Sequence, residues 1–177
     1  MTPVIITCPR RVDYFTETYS AVCAELPSVV VLTDTPLEFP DNKHIGWGAL
    51  EIAGGDDLLF LEDDVLPLIP GAFRQMTEHR TPEGLAFTSF YHPAKLPGVY
   101  RAGEFQMSQA VLFPAETVER LLAFRGSAEW LAVRGFDLAV AACLKHTSYE
   151  QRPNLVNHVG EWSAAMPGHR SPSAMNH

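Results

Sequence analysis

The sequence predicts an α/β fold, a single-domain three-layer sandwich with a mostly parallel central sheet. The first indication is the order of the opening segments: an apolar run over Pro3–Cys8, helical spacing over Val12–Leu26, and a β-branched run over Val29–Leu32. A strand, a helix and a strand in that order are typical of a parallel pair with a right-handed crossover. The second indication is Leu58–Leu61, an apolar run that is too short for a helix and suits a strand buried on both faces.

The later segments continue this alternation of strands and helices. In order, we predict a short helix over Trp47–Ala53, a helix from Pro70 to Arg80, a fourth strand over Leu85–Phe90, a fifth over Gln106–Phe113, a helix over Pro114–Phe124, a helix from Asp137 to Lys145 and a last short strand over Leu155–Val159. Between Tyr91 and Glu104, prolines and glycines predict a long loop of the kind that often covers a site.

The composition limits the class of protein. At 177 residues the chain suits one domain, which we assign to residues 1–167, with a flexible tail over 168–177. A hydrophobic content of 46% and a charged content of 19% indicate a folded chain. The net charge of -8 argues against a broad electrostatic grip on nucleic acid. Because no long apolar run and no signal segment occur, we expect no membrane span and a cytoplasmic location.

The three cysteines are scattered along the chain. Cys8, Cys23 and Cys143 form no C-x-x-C pair, and each falls in an apolar segment. We therefore expect buried thiols and neither disulfides nor a zinc site.

Three adjacent carboxylates, Glu62–Asp64, follow the third predicted strand. In open α/β sheets, ligands bind beyond the carboxyl ends of the strands, which is where these acids would lie. Adjacent carboxylates repel one another and resist desolvation, so the cluster becomes favourable when it holds a cation. A hard divalent ion such as Mg²⁺ or Mn²⁺ suits carboxylate oxygens. The alternative is an ordinary acidic turn after the strand.

Four stretches of the sequence, taken in their order along the chain, resemble the motifs of a known family. They are the opening strand and basic turn Ile5–Arg11, the acidic motif in Leu59–Val65, the segment Gly135–Leu138 and the ending Asn154–Ser163, which contains a His-x-Gly sequence. Together they resemble a glycosyltransferase of the GT-A fold with a Rossmann-like nucleotide-binding half. The chain is most similar to small bacterial and viral relatives of the lipooligosaccharide-type transferases. The resemblance spans nearly the whole chain, although Glu-Asp-Asp is not a literal D-x-D motif.

The resemblance implies a metal-dependent transfer of a sugar from a nucleotide-sugar donor, with inversion. It implies that Mn²⁺ or Mg²⁺ is held chiefly by Asp64 with support from Glu62, and that Asp63 faces the ribose or the metal. It further implies that His158 contacts the metal or the diphosphate. A divalent metal would neutralise the diphosphate as the glycosidic bond breaks. We expect a UDP-sugar as the donor. For His158, an ordinary histidine at a strand end is the alternative.

Further donor contacts are expected from the opening strand and the turns that follow. The resemblance assigns Thr7, Arg10 and Arg11 to the nucleotide, and the two guanidinium groups could pair with the diphosphate. Asp34 could hydrogen-bond the base or the ribose. A solvated helix start and a plain turn residue are the respective alternatives. We also expect Gly46–Gly48 to precede a helix whose N-terminus approaches the nucleotide.

The resemblance assigns the general base to Asp137, which would deprotonate an acceptor hydroxyl on the face opposite the leaving diphosphate. Asp137 also stands where a helix is predicted to begin, and Asp is a favoured N-cap. Both roles can coexist. Glu129 is the reserve candidate for the base.

Other functions remain open at this point. No P-loop and no G-x-G-x-x-G sequence follows a strand, which disfavours kinases and classical dehydrogenases. A metal-dependent nucleotidyltransferase or phosphohydrolase could use the same carboxylates, and a non-catalytic nucleotide-sugar-binding module is a third reading. The acceptor is a glycan or another hydroxyl acceptor, and a modified DNA base stays open. The shortness of the chain also allows a homodimer that completes the acceptor site.

Overall fold

The computed structural model describes residues 1–7, 12–33, 43–106 and 108–159. The strands within these ranges are β1 Thr2–Thr7, β2 Val30–Thr33, β3 Leu58–Glu62, β4 Val65–Pro67, β5 Thr88–Ser89, β6 Gly98–Arg101, β7 Ala110–Phe113, β8 Ser148–Gln151 and β9 Val156–His158. The helices are α1 Val12–Glu25, α2 Lys43–Ala53, α3 Ala72–Glu78, α4 Ala115–Phe124, α5 Ala128–Ala132 and α6 Phe136–Cys143. In the described ranges, no helix has both the length and the apolar character needed to cross a membrane.

Seven of the described strands form one sheet in the order β2-β1-β3-β7-β5-β8-β6. Strand β1 runs parallel to β2 and β3, and β5 runs parallel to β8. Only β7 and β6 run against this direction, because each pairs antiparallel with its neighbours. Five of the seven strands therefore point the same way, and the predicted α/β fold with a mostly parallel sheet is confirmed.

Alternate side chains of the central strands enter two separate cores. Val4 and Phe60 pack on the side of α2, α4 and α6. Ile5 and Leu61 point to the opposite side, where α1 and α3 cover the sheet. All four side chains are fully buried. The run Leu58–Leu61 in β3 is apolar throughout because both faces of the sheet are covered there, as the sequence predicted.

A second sheet consists of β4 and β9, which pair antiparallel. Strand β4 directly follows β3 after a short turn, so β9 returns the end of the described chain to the carboxyl end of β3. The sequence predicted a strand at β9 but none at β4, because a three-residue segment that ends in proline carries little strand signal.

The sequence reading missed two strands of the central sheet. Strand β8 contains Ser, Glu and Gln, which have low intrinsic preference for strands, and its pairing with β5 and β6 overrides that preference. Strand β6 and a 3₁₀ turn at Ala102–Glu104 lie inside the segment that was expected to be a loop. The predicted strands over Leu85–Phe90 and Gln106–Phe113 are shorter, at β5 and β7.

The expectation of buried thiols is wrong for Cys23, which is exposed, while Cys143 is half-buried. In α1 the buried side chains are Thr18 and Val22, so the helix turns Cys23 away from the sheet. Cys8 and the proposed tail lie outside the described residues.

Helix α2 begins at Lys43, four residues earlier than predicted, and Gly46 and Gly48 therefore lie inside it. A Cβ atom on Gly46 would collide with the ring of Phe136 in α6. That ring also stacks on Phe60 at 4.7 Å between centroids. Gly46 is thus the position at which α2 lets α6 approach the sheet.

We predict that Gly46→Ala lowers the free energy of unfolding by about 1–3 kcal/mol, because the added methyl group overpacks the contact with Phe136. Urea denaturation of the purified protein measures this change.

Gly48→Ala, two residues along the same helix, is the matched control. Its Cβ atom would lie 3.5 Å from Leu32 Cδ1, which is ordinary van der Waals contact. We expect it to raise the free energy of unfolding by up to about 1 kcal/mol, because alanine favours helix over glycine. Equal effects of the two substitutions would contradict the assigned packing.

Candidate metal centre and active site

The acidic cluster lies at the carboxyl end of β3, as expected. Glu62 is the last residue of that strand, and Asp63 and Asp64 form the turn to β4. Asp64 is fully buried, Asp63 is 3% exposed and Glu62 is partly buried. The segment is thus an acidic turn after a strand, and its two aspartates are buried. Buried carboxylates need compensating partners, since their desolvation is costly.

One such partner is His158, which lies opposite Val65 in the β4–β9 pair. Its Nε2 atom lies 2.8 Å from Asp64 Oδ2, and both side chains are at least 95% buried. The backbone N–H of Val159 donates to the carbonyl of Asp64 at 2.8 Å. The ring of Tyr91 packs against the imidazole with centroids 6.0 Å apart. The antiparallel pairing therefore fixes the histidine against the acid.

Glu62, Asp64 and His158 together form a cluster of potential metal ligands. Each offers one ligand atom, and these atoms all lie within 4.8 Å of one another. Two carboxylate oxygens and an imidazole nitrogen are a donor set that suits Mn²⁺, while the carboxylates alone also suit Mg²⁺. The residues present therefore fit a divalent cation, whose charge would offset that of the buried acids.

Hydroxyl groups hold the acidic turn from several sides. Thr18 in α1 donates to the backbone carbonyls of Asp63 and Val65 at 2.9 and 3.0 Å. Ser108, just before β7, donates to Glu62 Oε1 at 3.1 Å. These contacts connect the turn to a helix on one side of the sheet and connect Glu62 to the segment before the neighbouring strand, which limits the motion of the carboxylates.

Of the residues expected to contact the nucleotide-sugar donor, Thr7 and Asp63 lie in the described ranges. Thr7 donates to Asp63 Oδ2 at 2.8 Å, so two residues that were assigned to the donor contact each other. Asp63 thereby has a defined place beside the cluster, and the ribose or metal contact stays a prediction. Arg10, Arg11 and Asp34 lie outside the described residues.

Asp137 lies in the first turn of α6, whose N-cap is Gly135. The expectation that Asp137 itself caps the helix is therefore wrong. Its side chain is half-buried, and its Oδ1 atom accepts the backbone N–H of Leu138 at 2.9 Å. The preceding residue, Phe136, stacks on Phe60, and Phe60 points to the same face of β3 as Glu62, two residues later. Asp137 therefore belongs to the helical layer on the Glu62 side of the sheet.

Glu129, the reserve base, lies in the first turn of the short helix α5 and is exposed. Its Oε1 atom accepts a hydrogen bond from Lys145 Nζ at 2.8 Å. This hydrogen bond and the ammonium charge hold the pKa of Glu129 below its ordinary value. A general base works best with a pKa near the working pH, so this environment is less suited to that role.

Sequence reasoning missed Thr18 and Ser108. Thr18 precedes Val22 by four residues and therefore lies on the buried stripe of α1. A threonine on an apolar stripe is a detectable signal, because a buried hydroxyl needs a hydrogen-bond partner. Ser108 offers no comparable signal, since it lies in an irregular segment and meets Glu62 only through the sheet.

Comparisons with known proteins are informative about the fold. No protein-family model matches the sequence, and no curated protein matches it either. Among solved structures, the chain is similar to a glycosyltransferase involved in the glycosylation of the major capsid of PBCV-1. The TM-score is 0.54 over 93% of this chain and 96% of that chain, at 14% sequence identity. At this identity the likeness establishes a shared fold.

We predict that Thr18→Val lowers the free energy of unfolding by about 1–3 kcal/mol, because two buried carbonyls lose their shared donor. The substitution keeps the shape of the side chain. We also expect the affinity for Mn²⁺ to fall about 10-fold or more, because the turn that Thr18 holds carries the candidate ligand Asp64. Urea denaturation and isothermal titration with Mn²⁺ measure the two effects.

Thr16→Val in the same helix is the matched control. The hydroxyl of Thr16 is exposed and donates to the carbonyl of Val12 within the helix. We expect a change within about 0.5 kcal/mol, as for most surface substitutions, and an unchanged Mn²⁺ affinity. If Thr18→Val behaves like this control, Thr18 does not hold the acidic turn.

Proposed function

We propose that this chain is a metal-dependent glycosyltransferase that moves a sugar from a nucleotide-sugar donor to a hydroxyl acceptor. The observation that carries this proposal is the convergence of Glu62, Asp64 and His158 at the carboxyl end of a buried strand. In sheets of this kind, that end is where ligands bind. The fold shared with a glycosyltransferase adds support.

Glu62, Asp64 and His158 would hold the divalent cation, Mn²⁺ or Mg²⁺. When bound, that cation supplies positive charge to the diphosphate of the donor as the negative charge on it grows. The chain's own contribution is to keep these three groups in place before the donor arrives. Such preorganisation is a large part of electrostatic catalysis, because no groups need to reorient during the reaction.

The transfer itself exchanges one carbon–oxygen bond for another. The bond between the sugar carbon and the diphosphate oxygen breaks, and its electron pair stays with the diphosphate. The acceptor oxygen forms the new bond to the same carbon, and its proton passes to the carboxylate of Asp137. Attack from the face opposite the leaving group inverts the configuration at that carbon.

We further propose kinship with the lipooligosaccharide-type transferases, supported by the Glu-Asp-Asp sequence at the end of β3 and by the late histidine. The donor is proposed to be a UDP-sugar. Thr7 and Asp63 are proposed to border the nucleotide, together with Arg10, Arg11 and Asp34. The acceptor is a glycan or another hydroxyl compound.

We predict that Asp64→Asn and His158→Gln each lower Mn²⁺-dependent donor turnover about 100-fold or more, since each removes a ligand from the metal that stabilises the leaving group. In wild type, Mn²⁺ at about 100 times its dissociation constant should add about 2.7 kcal/mol to the free energy of unfolding, and both variants should lose this gain. Hydrolysis of a UDP-sugar panel and thermal unfolding with and without EDTA measure these effects.

Asp56→Asn is the control, because Asp56 is an exposed acid that precedes the amino end of the same strand. It should keep both turnover and the Mn²⁺ effect. Wild-type turnover in both ligand variants would show that the assigned metal site is wrong.

The products of the reaction separate the alternative functions. Release of pyrophosphate or phosphate in place of UDP would indicate a nucleotidyltransferase or phosphohydrolase, and binding without turnover would indicate a binding module.

The choice between the two candidate bases is testable separately. We predict that Asp137→Asn lowers kcat by about 100-fold or more while the donor KM changes little, since positioned bases typically contribute 10²–10⁴-fold. Glu129→Gln should change kcat less than about 3-fold, because the ion pair with Lys145 is exposed and contributes little. The reverse pattern would transfer the role of base to Glu129.

A further inference from the structure

A buried lysine lies in α2, on the same side of the sheet as α6. Lys43, the first residue of α2, is 4% exposed. Its Nζ atom donates to the backbone carbonyls of Trp130 at 3.0 Å and Val133 at 2.8 Å. The same ammonium lies 4.1 Å from the centroid of the Trp130 ring, within the range of a cation–π contact.

The two carbonyls belong to the end of α5. Trp130 lies inside this helix, and Val133 is its C-cap. The last carbonyls of a helix have no partner within it and carry partial negative charge, so a cation is favourable there. With five residues, α5 is too short to be stable by itself. The contact with Lys43 therefore fixes where α5 ends and where the next segment starts.

That next segment leads to the proposed base. Only Arg134 and Gly135 separate Val133 from α6, and Gly135 has a φ of 90°, a conformation that residues with a side chain rarely adopt. Phe136, which follows, is held by Phe60 and by the Trp47 ring in α2 at 5.6 Å. Asp137 therefore follows a short segment that α2 fixes at both ends.

A buried lysine is an energetically unfavourable means of holding two helices together. Burying an ammonium group carries a large desolvation cost, and apolar side chains of similar volume often stabilise a fold as well or better. What the ammonium adds is direction, because its donors define where the Trp130 and Val133 carbonyls must lie. This favours a role in placing the segment over a role in stability alone.

We propose that Lys43 is a positioning residue for Asp137: it fixes the end of α5 and thereby the place of the carboxylate that accepts the acceptor's proton. This inference rests on the proposed function. Lys43 touches neither donor nor acceptor in this proposal and acts through the backbone of residues 133–135.

The structural part of the inference is tested without any activity. In Lys43→Met, amide hydrogen exchange over residues 133–138 should become at least 10-fold faster, while exchange in β3 should stay unchanged. Unchanged exchange over 133–138 would overturn the proposal, whether or not the protein is a glycosyltransferase.

The functional part uses UDP-sugar hydrolysis with Mn²⁺. Lys43→Met should lower kcat at least 10-fold and leave the donor KM within 3-fold, and Lys43→Arg should restore at least a third of kcat. In the Asp137→Asn background, Lys43→Met should lower kcat less than 2-fold further, because two residues that act through one step are not additive. An additive loss would overturn the proposal, since it would show that Lys43 acts independently of Asp137.

The remaining outcomes are also decisive. Wild-type protein without turnover on any donor would refute the proposed function, and the exchange measurement would still decide whether Lys43 fixes the segment. Lys43→Gln is the second neutral variant in case Lys43→Met does not fold. If neither folds, Lys43 is a residue of general stability and the positioning role is overturned.

Discussion

The contact between Asp64 and His158 is the interaction on which the candidate site depends. It joins the turn after β3 to the last described strand and lies almost entirely out of water. The register of β4 and β9 sets it, because Val156 and His158 are buried while Asn157 between them is exposed. A slip of one residue would turn the histidine away and bring the asparagine inward. The two-stranded sheet thus sets the geometry of the candidate site.

Polar contacts reach this site from both layers of the fold. Thr18 anchors the acidic turn to α1 on one side of the sheet, and Ser108 anchors Glu62 from the segment before β7. On the other side, α2 holds α5 and α6 through Lys43 and the close approach at Gly46. The sheet therefore separates two tasks. The α1 side fixes the backbone of the acidic turn, and the opposite side, to which Glu62 points, fixes the helix that carries the proposed base.

Much of the fold follows from local pattern. The apolar runs at β1 and β3 and the helical spacing in α1 predicted those elements within a few residues. The local pattern failed to predict strands that form because they pair with neighbouring strands and not because of their own composition. Strand β8 is polar, yet it lies between β5 and β6 and its backbone groups find partners there. Strand β4 is too short to be recognised without β9 beside it. The pairing partners of β8 and β4 cannot be recognised in a window of a few residues.

The sequence by itself determined the acidic cluster, its place after a buried strand, and the resemblance that connected it to a late histidine. These depend on residue type and order, which the chain displays directly. Only the tertiary structure decided that Glu62, Asp64 and His158 converge, that Thr18 and Ser108 support them, and that Lys43 reaches the end of α5. Each of these contacts joins residues far apart in the chain. Their distances depend on strand register and on the packing of helices over the sheet, which no local pattern encodes.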